Sequence, residues 1–292
     1  SAASDVYKRQ ELKGWSHLKR FLYVLIIGFI VISVAGCGKS DSDSNSDKKF
    51  TIGFGVGTYE EQFRKGILPI LQKEGYDVKI KTFSQNDQVD PALVDEEIDA
   101  TVHQSRAYMN SMNKKLNGEM IVNNHVPTAP QSIWSTKHHS LDDVKDGQTI
   151  AVPNDPVNQE RAFRILEKLK WVKIDKDAGT VNFNVKSVKP DRYHLKFKEI
   201  HSAQVLRSLD DVDYGIVNGN YIADAHKVIA DGLIVEKTPE QHKVVLTINK
   251  KDQNKAWAKA LKKAYYSDEF KTWYEKQNKY KGFITPKEWN EG

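Results

Sequence analysis

The sequence predicts an α/β fold built on parallel sheets, and three features of the 292-residue chain point to it. Short apolar strands alternate with helical stretches from Phe50 to Gly118. The same alternation restarts at Thr149 and runs to Ala230. A last strand over 244–248 then leads into two further helices. Strands separated by helices form parallel sheets covered on both faces, and the length suffices for two bodies of ordinary size.

The elements follow in order. No Met opens the chain, so the Ser-Ala-Ala-Ser start is read as non-native and residues 1–10 are set aside. Lys19-Arg20 precede an apolar run over 21–34, and Ala35-Gly36-Cys37 follow it. Positive, apolar and small residues in that order make a secretory signal. At about 14 residues the run is shorter than the roughly 20 a spanning helix needs. Residues 38–49 contain no apolar side chain and read as a flexible tether.

The folded body begins near Phe50. Its expected elements are a strand over 50–56, a helix over 59–74 ended by Gly75, and a strand over 78–83. A short helix over 91–97, a strand over 98–103 and a helix over 106–116 before Gly118 follow. Past Pro127 and Pro130, residues 132–135 are extended, and Ser140 caps a helical turn. The stretch Thr149-Ile150-Ala151-Val152-Pro153-Asn154-Asp155-Pro156 reads as a buried strand, a polar turn and a helix start. Asp155 suits the N-cap and Pro156 the first helical position. Free N–H groups and the helix dipole make such a corner a receptor for a small anion. Asn158 and Arg161 lie three apart on that helix, and a guanidinium fork matches a carboxylate. A polar loop over 175–180, a strand over 197–200, a helix over 202–209 and a strand over 212–217 come next. Asn218-Gly219-Asn220 ends that strand, either as turn chemistry or as acceptors for an ammonium. A helix over 221–230 closes this part.

Composition excludes several classes. The net charge of +5 is concentrated in residues 1–36, and the remainder carries only +2, which gives no case for nucleic-acid binding. Cys37 is the single cysteine, so disulfides within the chain are excluded. His103, His125, His138 and His139 lack carboxylate or cysteine companions at ligand spacing, so neither a metal nor another cofactor is expected. GxSxG and HExxH patterns are absent, which speaks against a secreted enzyme.

Val34-Ala35-Gly36-Cys37 resembles the bacterial lipobox, in which the cysteine is lipidated and becomes the mature N-terminus; Val34 replaces the usual Leu. Together with the Ile-Gly-Phe-Gly strand, Glu97-Ile98-Asp99-Ala100, the Pro153-Asn154-Asp155-Pro156 block with Asn158 and Arg161, and Val212-Asp213-Tyr214-Gly215-Ile216-Val217-Asn218, it resembles the NlpA-type lipoproteins. These are the methionine-binding lipoproteins of bacterial ABC importers. The resemblance implies a two-lobed type II periplasmic-binding-protein fold with the ligand cleft between lobes. Residues 1–36 would be the upstream segment and signal peptide, and 37–49 the lipidated cysteine and tether. Lobe I would take 50–128 and 244–292, and lobe II 129–243.

The implied protein is a monomer anchored by lipid at Cys37 on the extracytoplasmic face of the cell membrane. It would deliver an amino acid to an ABC permease and ATPase complex. By the resemblance Arg161 clamps the ligand carboxylate and Asn158 holds the head group, with Asn218 and Asn220 at the lobe edge. The family's usual Phe-Gln-His-Arg-Pro-Phe run is His103-Gln104-Ser105-Arg106-Ala107-Tyr108 here, and Asn86 stands where its pocket tyrosine does. His103, Tyr108 and Asn86 are therefore the side-chain pocket candidates, and they make it more polar than a thioether site. The expected ligand is methionine, a related or more polar amino acid, or a short peptide. A surface adhesin or sensor on the same fold is the alternative. Arg161→Ala is expected to lose binding and leave the fold intact.

Overall fold

The computed structural model describes residues 48–179 and 182–290. The signal segment, Cys37 and the tether all lie outside them. Among the described residues no helix is long and apolar enough to cross a membrane.

The first sheet holds β1 (Lys49–Phe54), β2 (Asp77–Thr82), β3 (Ala100–Ser105), β4 (Met120–His125) and β12 (Val244–Asn249), in the order β2-β1-β3-β12-β4. The second holds β5 (Gln131–Trp134), β6 (Thr149–Pro153), β9 (Lys196–Ile200), β10 (Tyr214–Asn218) and β11 (Ile234–Val235), ordered β11-β5-β10-β6-β9. Strands joined by helical crossovers run parallel, as expected: β1 with β2 and β3, and β6 with β9 and β10. The sheets are nonetheless mixed. β5 and β12 are the strands by which the chain enters one sheet from the other, and both are antiparallel to their neighbours.

The first helix runs from Tyr59 to Lys73 as α1, with a π turn at Phe63–Ile67 in its middle. Pro69 explains the widening, since its ring would crowd the carbonyl four residues back in a regular helix. Gly75 ends this segment at φ +81°, a conformation costly for any residue with a Cβ. Next in order come α2 (Val89–Val94), α3 (Arg106–Leu116), α4 (Pro156–Lys168), α5 (Gly219–Asp224), α6 (Ala256–Tyr265) and α7 (Asp268–Glu275).

Burial follows the periodicity. β12 is buried at every position, as a strand flanked on both sides and covered on both faces should be. Trp257, Leu261, Ala264 and Tyr265 form one face of α6 and pack with Phe270 against Phe50, Ile52 and Phe54 of β1. The C-terminal helices thus complete the core begun at Phe50. The second sheet buries Ile150, Val152, Phe163 and Tyr214 on one face and Ala151, Val217 and Ile222 on the other.

Several local expectations need correction. The residues around the expected polar loop form a hairpin, β7 (Val172–Ile174) with β8 (Val188–Pro190), too short to announce itself by alternation. The helix expected over 202–209 is a pair of 3-10 turns, Ser202–Gln204 and Leu206–Asp211. The one expected over 221–230 instead starts at Gly219 and stops at Asp224. Asn218 is therefore an N-cap and Gly219 a helical residue rather than part of a hairpin-type turn. A Cβ on Gly219 would stand 2.3 Å from the Pro130 carbonyl oxygen, so close approach of two backbones requires the glycine.

Candidate ligand-binding site

A cavity of about 380 Å³ lies where the ends of the two sheets face each other. Asn86, His103 and Tyr108 line it from the first sheet's side, and Asn158, Arg161, Asn218 and Asn220 from the second's. The seven side chains singled out in the sequence therefore share one space. Gln104, Ser105 and Asp155, neighbours of those candidates in the sequence, line it too, as do Tyr59, His201 and Ser202, which nothing in their local sequence marks.

The corner at the start of α4 forms as its sequence dictates, with Asp155 as N-cap and Pro156 in the first turn. Its chemistry differs from expectation. Asn158 N–H donates to Asp155 Oδ1 at 2.9 Å, and the Asn158 amide also donates to the Asp155 carboxylate at 3.1 Å. Ser202 Oγ donates to Asp155 Oδ2 at 3.0 Å. A carboxylate from the chain itself thus occupies the helix start, so the corner does not offer an open anion receptor.

Arg161 is buried, at 5% exposure, and faces neither Glu160 nor Asp155. Its Nε donates to Glu236 Oε1 at 2.7 Å and Oε2 at 2.9 Å, and Nη2 donates to Glu236 and to the Ala129 carbonyl. Glu236 also accepts from Gln131 N–H at 2.9 Å and from Thr238 Oγ1 at 2.8 Å. Burial pushes the Glu236 carboxyl up, but the Arg161 charge and these hydrogen bonds outweigh it and hold the group below its ordinary value. Nη1 is the guanidinium nitrogen without a hydrogen-bond partner among the described residues. The pair clamps the fork in place and leaves one edge unpaired. Glu236, 75 residues from Arg161 in the chain, follows a two-residue strand and carries no periodic signal that would have found it.

Asn218 accepts through Oδ1 from Gln131 Nε2 at 2.7 Å, so its amide nitrogen has no partner within the described residues. Asn86 Nδ2 donates to Tyr221 Oη at 2.7 Å, joining the segment after β2 to α5. Asn220 packs over Gly57, whose φ of +130° leaves room that a Cβ would fill. Tyr59 Oη accepts from Ala129 N–H at 3.4 Å, where the chain leaves the first sheet for the second. Trp134 is not among the lining residues; its Nε1 donates to Ser132 Oγ at 2.7 Å.

Beneath the first sheet's wall lies a buried polar group. Gln104 Nε2 donates to Asp90 Oδ1 at 2.7 Å, and His103 Nδ1 meets Thr101 Oγ1 at 3.1 Å. His103 Nε2 and Asp90 Oδ2 are 3.8 Å apart, and neither has a hydrogen-bond partner. Burial pushes the Asp90 carboxyl up to about 8 and the His103 imidazole down to about 3. Between its ordinary value of 3.8 and about 8, folded Asp90 keeps a proton that the unfolded chain has released. Stability contributed here is therefore lost as pH rises through that window. Asp90→Asn should raise the melting temperature at pH 8 and change it little at pH 4, as followed by circular dichroism. An equal shift at both pH values would refute this protonation state. Among the described residues no group of three or more His, Cys, Asp or Glu is placed to hold a metal ion.

Two mixed sheets exchanging strands around one ligand-sized cavity define a two-lobed binding protein of the type II periplasmic kind. The chain belongs to the NlpA lipoprotein family, whose model matches residues 51–288. It is 29% identical to the methionine-binding lipoprotein MetQ of Bacillus subtilis over 92% of this chain and 98% of that one. Identity to the D-methionine-binding lipoprotein MetQ of Escherichia coli K12 is 30%, over 89% of this chain and 95% of the relative. Among solved structures it resembles a nutrient binding protein from Burkholderia cenocepacia bound to methionine, with TM-score 0.76 and 30% identity. That likeness covers 81% of this chain and 99% of the other.

Proposed function

We propose that this chain is the membrane-anchored solute-binding lipoprotein of an ABC importer, a receptor rather than an enzyme. Its ligand is an amino acid, methionine or a more polar relative, held between the lobes by their closure. The observation that carries this reading is the convergence of Arg161, Asn158 and Asn218 from one sheet and His103, Tyr108 and Asn86 from the other on one cavity. The free edge of Arg161 and the Asn218 amide would take the ligand carboxylate, and the oxygens of Asn158 and Asn220 its ammonium. A ligand touching both walls favours the closed arrangement by its differential affinity for it. Lobe I is assigned to 50–128 and 244–292 and lobe II to 129–243, with the crossings as hinge. Lipidation at Cys37 would hold the protein as a monomer outside the cytoplasm beside its permease and ATPase, and mass spectrometry of the mature N-terminus tests it.

The decisive experiment is a thermal-shift screen of the full chain in detergent against the standard amino acids and short peptides. A ligand at 100 times its Kd should add about 2.7 kcal/mol to the stability of the folded state. No response to any of them would reject the importer role and favour an adhesin or sensor using the outer surface.

A further inference from the structure

The two walls of the cavity touch each other directly where the exit of β1 and the turn after β2 meet α5. The Asn86 amide is fixed from its own side of the cleft. Its Oδ1 fills the space over Gly55, where a Cβ would overlap it, and its Nδ2 donates to the Val56 carbonyl at 3.3 Å. The other Nδ2 proton goes across to Tyr221 Oη at 2.7 Å. Beside this bond Asn220 lies against Gly57, and a Cβ there would stand 2.6 Å from Asn220 Nδ2. Gly55 and Gly57 thus leave two notches in one backbone edge. Asn86 fills the first, and Asn220, from the second sheet's side, fills the other.

The α5 half is held as firmly. Tyr221 is 6% exposed, and its ring belongs to the apolar cluster of Ala129, Val205 and Val217. Its hydroxyl is the part that meets Asn86. With both ends ordered beforehand, the bond costs little side-chain freedom and keeps most of its strength. We infer, resting on the lobe-closure reading above, that Asn86 and Tyr221 form a latch that favours the closed arrangement on its own account. The bond is made between protein groups, so it favours closure by the same amount whichever ligand is bound. Such a bias on the open–closed equilibrium raises the affinity for every ligand by a common factor and leaves their ratios alone. A side chain that touches the ligand changes those ratios instead. Tyr221 therefore sets how tightly the protein binds, and not what it selects.

Tyr221→Phe deletes the hydroxyl and keeps the ring. Calorimetry on the full chain in detergent, with methionine, norleucine and glutamine, should find each bound threefold to tenfold more weakly than by the wild type. Their ratios should stay within twofold of the wild-type values. Asn86→Ala should also weaken binding, and the double variant should bind no more weakly than Asn86→Ala alone, because the two side chains share one bond. A second readout needs no ligand. In the ligand-free protein, Tyr221→Phe should speed amide hydrogen exchange over residues 54–59 at least threefold and leave residues 256–265 unchanged. Unchanged affinity, a loss confined to one ligand, or additive losses in the double variant would overturn the latch and leave the receptor reading standing. Should none of the three amino acids bind, that failure counts against the receptor reading, and hydrogen exchange alone decides the latch: faster exchange over 54–59 supports it and unchanged exchange overturns it. Should Tyr221→Phe not fold, Asn86→Ala is held to the same ratios and the same exchange.

Discussion

Arg161→Ala should lower the stability of the folded state by about 3–5 kcal/mol as well as remove ligand binding. The sequence alone led to the opposite expectation for stability, because it presented Arg161 as a guanidinium reserved for a ligand. The structure gives it a permanent partner. Glu236 lies with its side chain 4% exposed, and truncating Arg161 would leave that carboxylate buried without a counter-charge. Two causes of lost binding must then be separated. Arg161→Met combined with Glu236→Gln removes both charges, while the new amide oxygen still accepts from Gln131 N–H. This double variant should recover most of the lost stability in urea melts and still fail to bind any amino acid by calorimetry. Recovery of binding along with stability would show that Arg161 serves the fold and not the ligand.

Gly219→Ala should be a damaging small substitution near the site, costing about 1–3 kcal/mol. The added Cβ would meet the Pro130 carbonyl oxygen at 2.3 Å, Ile229 Cδ1 at 2.6 Å and Ala129 Cβ at 3.0 Å. Ile229 can turn aside, but the carbonyl belongs to the crossing segment between the sheets and cannot. Relief therefore requires α5 to move away from residues 129–130, carrying Asn218 and Asn220 with it. Ligand affinity should fall more than stability does. Glycine at 147, whose hypothetical Cβ has nothing within 4 Å, controls for the site, although its φ of +82° makes its own substitution strained. A Gly219→Ala protein with unchanged affinity would show that α5 does not position the asparagines.

The parts of the structure legible in the sequence are those whose cause is local. Arg106–Leu116 matches its expected helix because Ser105 caps it and residue spacing sets its face, though Asn117 at φ +52° ends it where Gly118 was expected to mark its end. Asp155 and Pro156 start α4 as their chemistry requires. That same Asp155 shows where local reasoning stops, because one N–H cannot both receive its capping carboxylate and remain open to a ligand. Pairings across long stretches were hidden altogether. Glu236 reaching Arg161 and Gln104 reaching Asp90 depend on how strands are ordered in the sheets, and neither leaves a periodic trace. The cavity's polar wall was partly visible, since His103 and Asn86 stood out as replacements for aromatic residues. Gln104 did not, because its position matches the family pattern and its unpaired oxygen exists only in three dimensions.

The insertion of β12 between β3 and β4 has a bearing on how this chain becomes folded. During synthesis the first four strands emerge early, but the place between β3 and β4 stays vacant until residues 244–249 arrive. Pairings so distant along the chain slow folding by the entropy of closing a long loop. A nascent chain of this topology therefore cannot complete its first sheet until most of its length has been made, which leaves the β3 and β4 edges open until late in elongation.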